Sequence, residues 1–124
     1  MILKNAFFTI RQFTEEDNTL KYQIQLNLTH EIYKAHFPGN PVTPGVCITQ
    51  IVQELVTEHL QQKFFLSRII RAKFTNVVNP LEYPDIDIDI NIEEEADSAY
   101  RVTTKVYKQE VDFASISLIL TPLQ

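Results

Sequence analysis

The stretch KAHFPGNPVTPGVCITQ, Lys34 to Gln50, holds both glycines of the 124-residue chain, three of its six prolines and its only cysteine. Pro38, Pro41 and Pro44 each fix φ, while Gly39 and Gly45 permit positive φ or a close approach by another molecule. The stretch reads as a rigid turn feeding a helix. Thr43 is placed to cap that helix, and Pro44 suits its first position, where a missing N–H costs nothing. Beyond it, Ile48, Ile51, Val52, Leu55, Val56 and Leu60 recur at helical spacing over about four turns. The spacing predicts one long helix with an apolar face, ending near Gln62.

On either side of this helix the chain alternates as strands do. In LKYQIQLNL, Leu20, Tyr22, Ile24, Leu26 and Leu28 fall on one face and polar residues on the other. In PDIDIDINIEEE, Ile86, Ile88, Ile90 and Ile92 oppose Asp85, Asp87, Asp89 and Asn91. That is a strand with one buried and one wet face, as antiparallel sheets have. Its acids lie in a row along an open face, not around an ion, so no metal site is expected. YRVTTKVYK and FASISLIL read as two neighbouring strands joined by a short turn around Gln109, and RIIRAKFTNVV as another before Pro80. A short helical turn fits THEIYKAH. One helix with antiparallel strands before and after it predicts an α+β domain spanning 1–124, a single sheet of five or six strands wrapped around the helix.

The composition sets bounds on function. A net charge of −5 argues against nucleic acid or an acidic membrane as the main partner. One cysteine excludes an internal disulfide and fits a reducing compartment. MILKNAFFTI lacks the apolar core and cleavage site of a signal peptide, and no apolar run approaches the ~18 residues of a membrane span. A cytoplasmic protein without cofactor is the expectation.

The proline–glycine turn also carries chemistry. A helix start presents unpaired N–H groups and a partial positive charge, and Gly45 in the first turn leaves those amides unshielded, a ready oxyanion site. His36 lies close by, the side chain that most easily accepts a proton near neutral pH. Amides facing a base suit enolate chemistry: they hold a carbonyl oxygen while the base removes the proton beside it. Against this, proline–glycine clusters usually mark turns alone, and a lone histidine is more often structural than catalytic.

His36-Phe37-Pro38-Gly39, Pro41-Val42 and Pro44-Gly45-Val46, with the helix that follows, resemble the signature of the hotdog-fold 3-hydroxyacyl-acyl-carrier-protein dehydratases of fatty-acid synthesis. AKFTNVVNP and the two closing strands resemble the rest of that family more weakly. The resemblance implies a long helix in a curved antiparallel sheet, two subunits pairing edge to edge, and a substrate tunnel between them. His36 would be the base that takes the α-proton of a 3-hydroxyacyl thioester and Gly45 the amide that holds its carbonyl, with Phe37, Pro44 and Val46 beside the substrate. The carrier would be acyl carrier protein or coenzyme A, and the assembly a homodimer or a heterodimer with a related subunit.

The chain departs from that family at one chemically decisive place. The family's acid, fourteen positions after the histidine, is here Gln50, which binds a hydroxyl or water but delivers no proton. Glu54, one turn later, stands where the family has glutamine. Residues at i and i+4 share a helix face, so Glu54 either reaches the same tunnel or is a solvent-facing or cap-like glutamate. Ala35 and Leu81-Glu82 are smaller departures. Cys47 reads as a buried structural thiol, and His30 and His59 as ordinary. Lys63, Arg68, Arg71 and Lys73 form a basic cluster that is either a docking patch for an acidic carrier protein or a solvated strand face. Three functions stay open: a dehydratase, a hotdog thioesterase with His36 activating water, and a non-catalytic acyl- or carrier-binding subunit that needs a carboxylate-bearing partner.

Overall fold

The computed structural model describes residues 2–35 and 39–123; His36 and Phe37, both expected at the site, lie outside them. Six antiparallel strands form one sheet: β1 (Phe8–Glu16), β2 (Thr19–Leu26), β3 (Phe64–Phe74), β4 (Asp85–Glu94), β5 (Tyr100–Lys108) and β6 (Val111–Pro122). Their spatial order is β1-β2-β4-β5-β6-β3. Between β2 and β3 run a short helix α1 (Glu31–Ala35) and the long helix α2 (Gly45–Leu60). Because β2 and β3 lie toward opposite edges, that connection must cross one face of the sheet. This is the hotdog arrangement, α+β.

The isoleucine alternation of β4 does what its pattern implies. Ile86, Ile88 and Ile90 are fully buried, in register with Ile24, Tyr22 and Leu20 of β2 on one side and with Val106 and Thr104 of β5 on the other. Val102, Ile116, Leu118 and Leu120 complete this inner face, and Cys47, Ile48, Ile51, Val52, Leu55 and Val56 of α2 are buried in the same core. The tight hairpins follow from local chemistry: Asp17 and Asn18 both take positive φ between β1 and β2, the geometry of a two-residue turn matched to strand twist.

Several boundaries differ from those the pattern suggests. Leu28 lies outside β2 and is 43% exposed, because Asn27 ends the strand: its Oδ1 accepts from the amide and hydroxyl of Thr29. β1 has no clear alternation, since as an edge strand it exposes most of its length. Thr43 does not cap α2. The cap is Pro44, extended at φ −63° and ψ 145° and without a side-chain bond, so Gly45 is the first helical residue. Thr43 is buried instead, its hydroxyl 2.9 Å from that of Tyr33, and its amide donates to the Val78 carbonyl. Burial pushes the Tyr33 phenol up to about 12, which keeps it neutral. These two bonds tie the turn before α2 to α1 and to the chain that leaves β3. At its other end α2 closes on Gln61 in the left-handed region, with the Gln62 amide reaching the Thr57 carbonyl.

Tyr33→Phe leaves the buried Thr43 hydroxyl without its partner and is expected to cost about 1–3 kcal/mol. Urea unfolding should show a lower midpoint with an unchanged slope.

Candidate active site

Starting α2 at Gly45 puts the first helix-start amides on Gly45 and Val46. The Cys47 and Ile48 amides turn back to the Pro44 carbonyl, at 3.0 and 3.2 Å. Gly45 and Val46 carry amides for which the helix itself supplies no acceptor. Beside them lies a groove of about 340 Å³, walled by Pro44, Gly45 and Ile48 on one side and by Phe74 to Val78 on the other. Val46, Phe74 and Val77 are 71, 45 and 60% exposed, so this end of the helix is apolar and open.

Gly45 also lies close against the Phe74 ring. A β-carbon there would come within 2.9 Å of the Phe74 ring. A side chain at 45 must therefore displace the Phe74 ring before it meets any ligand. The sequence, with the two positions 29 apart, holds no sign of that contact.

One turn further along α2, Gln50 and Glu54 are bonded to one another. The Gln50 Nε2 donates to Glu54 Oε2 at 2.9 Å. The same carboxylate accepts from the Leu3 amide at 2.7 Å and from the Lys4 amide at 2.8 Å, and Lys4 Nζ also pairs with Glu58. Glu54 thus grips the backbone of the N-terminal segment, and the fully buried Phe7 and Phe8 follow directly. Of the residues expected at the site, the structure joins Pro44 with Gly45 at the groove, with Val46 in the same turn, and Gln50 with Glu54 a turn away.

The other candidates are ordinary. Cys47 is buried, and burial pushes its thiol up. His30 accepts from the Ile32 amide through Nδ1 and packs edge-on against Phe7 at 5.2 Å. His59 lies against Phe13 at 6.0 Å. The basic cluster has an unexpected geometry. β-Bulges at Leu66/Arg68 and Ile69/Arg71 keep Arg68, Arg71 and Lys73 in register with Ile119, Ser117 and Ser115. All three basic residues therefore face outward, while Leu66, Ile69, Ala72 and Phe74 fall on the inner side. Arg71 and Lys73 line an outer concavity of about 500 Å³, together with Lys21 and Lys105. The latter two pair with Asp89 and Asp112, at 3.3 and 3.5 Å.

Comparison with known proteins gives this geometry a family. The pattern of the ApeI-like family, described as ApeI dehydratase, matches residues 12–116. The chain belongs to the ApeI-like dehydratases. Related curated proteins agree with that membership. It is 26% identical over 113 residues to the 3-hydroxyacyl-(acyl-carrier-protein) dehydratase FabZ of Fusobacterium nucleatum, covering 87% of this chain and 79% of that one. It is 33% identical over 84 residues to the FabZ of Lactobacillus helveticus, covering 62% of this chain and 55% of the relative. Among solved structures, a chain of the dehydratase heterocomplex ApeI:P from Xenorhabdus doucetiae superposes with a TM-score of 0.75 at 19% identity, covering 90% of this chain and 96% of that one. A hypothetical thioesterase with coenzyme A from Streptococcus pneumoniae gives 0.65 at 8% identity, covering 95% and 88%. At such identities the two structures show the shared fold alone.

Gly45→Ala is expected to cost about 1–3 kcal/mol through crowding of Phe74. In a Phe74→Ala background the cost should fall to about 0.5 kcal/mol or less, a coupling measurable in a double-mutant cycle.

Proposed function

We propose that this ApeI-like dehydratase family member acts on 3-hydroxyacyl thioesters in fatty-acid or related lipid or polyketide synthesis, and that it carries base and oxyanion donor but no acid of its own. His36 takes the proton from the carbon beside the thioester carbonyl. As that bond breaks, negative charge grows on the carbonyl oxygen, and the Gly45 amide at the positive end of α2 holds it. The 3-hydroxyl leaves as water only when a proton reaches it. Gln50 binds that hydroxyl but supplies no proton, so Gln50 and Glu54 together leave the step unassisted. The observation that carries this reading is the start of α2 at Gly45 beside an open groove: an unshielded amide where a carbonyl oxygen can approach.

The missing proton directs attention to a partner. β3 is an edge strand with Phe65, Ile69, Ile70 and Phe74 between 36 and 53% exposed, a surface that a second subunit would cover. A dimer through this edge is the expected assembly. With a related hotdog subunit that keeps its carboxylate, His36 and the partner's acid would complete one site. That a chain of the same fold comes from a dehydratase heterocomplex supports this form. The outward row of Arg68, Arg71 and Lys73 is suited to an acidic carrier protein, and coenzyme A thioesters are the other carrier class. A thioesterase is the second reading, with His36 activating a water on Gln50; the likeness to a thioesterase solved with coenzyme A favours it.

Product analysis separates the readings. Offered a 3-hydroxyacyl thioester and a saturated acyl thioester, the protein should form enoyl thioester from the first and no free thiol from the second. Gln50→Glu should raise enoyl formation by up to about 10²–10⁴ at matched dimer concentration. His36→Ala should abolish turnover while sedimentation still shows a folded dimer. Thiol release, or full turnover by the His36→Ala variant, would overturn the proposal.

A further inference from the structure

The Phe74 ring stands over the first residue of α2. Its Cζ, Cε2 and Cε1 atoms lie 2.9, 3.0 and 3.2 Å from the place that a β-carbon of residue 45 would take. The bulge between Ile69 and Arg71 sets this geometry, because a strand shifted by one residue would turn Phe74 outward and Lys73 inward. Across the strand pair Phe74 meets only Ala114, whose single side-chain carbon leaves the ring room to lean toward α2. The ring forms one wall of the groove beside Gly45, and 45% of Phe74 is still exposed there. Among the described residues nothing accepts a hydrogen bond from the Gly45 amide.

We infer that Phe74 is a specificity-determining residue: it admits straight-chain acyl thioesters to the Gly45 amide and rejects those branched at the carbon beside the carbonyl. The inference rests on the reading of Gly45 as the carbonyl site and adds a substrate class to it. The amide nitrogen of Gly45 and its missing β-carbon share one Cα, so whatever bonds to the first lies beside the ring that crowds the second. An accepting carbonyl oxygen sits about 2.7–3.2 Å from that nitrogen. The carbon that gives up its proton is two bonds further on, still next to the ring. A CH₂ at this place needs only ordinary contact with the aromatic wall, whereas a methyl branch needs volume that the ring fills. Position 45 clears the amide, and position 74 narrows the approach to it. Discrimination of one methyl group by a wall of this kind is worth about 10–200-fold.

Backbone amide NMR of the full chain tests this without turnover. With only two glycines in the sequence, the Gly45 amide is identified by its loss in Gly45→Ala. The protein is titrated with a straight-chain 3-hydroxyacyl coenzyme A thioester and with its 2-methyl-branched counterpart. The straight-chain thioester should shift the Gly45 amide, and the branched one should bind about tenfold or more weakly. In Phe74→Ala the branched thioester should gain affinity until the two bind within about twofold of each other. If Phe74→Ala fails to fold, Phe74→Leu keeps an apolar side chain without the ring and should narrow the gap in the same direction. Phe65→Ala removes an equally exposed aromatic from β3, nine residues from Phe74 and on the outer side of the sheet, and should leave the gap as it is. A Gly45 amide that responds to thioester, with the same preference in wild type and in folded Phe74 variants, overturns the role of Phe74 and leaves the carbonyl site standing. A Gly45 amide that responds to neither thioester overturns the carbonyl site and this inference with it.

Discussion

The structure depends on a single apolar helix that must be covered by a single sheet. At 1.5 Å per residue, sixteen residues make α2 about 24 Å long. Its buried face, from Cys47 to Val56, meets inward residues from β2, β4, β5 and β6. Each large aliphatic side chain so buried contributes roughly 1.5–3 kcal/mol. Strand order follows from that need. The two strands that flank α2 in sequence lie far apart in the sheet, so the helix is held across its middle. The same arrangement leaves β3 at an edge, with apolar side chains in solvent and two bulges sorting basic residues to the opposite face. The dimer proposed through β3 would cover the strand that this arrangement leaves exposed.

The proposed site would take its chemistry from how the helix begins. Pro44 ends the extended turn, and helical geometry starts on a residue with no side chain. Around that point Tyr33, Thr43 and the Val78 carbonyl hold the turn in place. Rigid amides of this kind stabilise developing negative charge without reorganising at the moment of reaction. A proton donor for the departing oxygen is a separate requirement. At position 50 the amide is bonded to a carboxylate that is itself bonded to backbone. Position 50 thus carries an amide, which delivers no proton, where the proposed dehydration needs one.

Much of this was legible in the residues. The isoleucines of β4 alternate cleanly because one face is buried and the other wet, and the apolar spacing of α2 survives because only one stripe of it is covered. The turn at Gly45 was visible in its prolines and glycines. The boundary at Pro44 was misplaced by one residue, because Thr43 looks like a cap until Tyr33 is known to take its hydroxyl. β1 was illegible since an exposed edge strand needs no hydrophobic pattern. Contacts across long sequence separation left no local signal: Phe74 on Gly45, and the Leu3 and Lys4 amides on Glu54. Spacing placed Glu54 on the face of Gln50, but only the fold shows what its carboxylate holds.

The central claim, a base and an oxyanion donor without an acid, is tested most directly by deuterium exchange. A 3-hydroxyacyl thioester incubated with the homodimer in heavy water would be recovered and analysed by mass spectrometry. The account predicts deuterium at the carbon beside the carbonyl, accumulating faster than enoyl product forms, because the proton is removed and returned while the hydroxyl stays. Enoyl thioester forming as fast as deuterium enters, or no exchange at all, would contradict it.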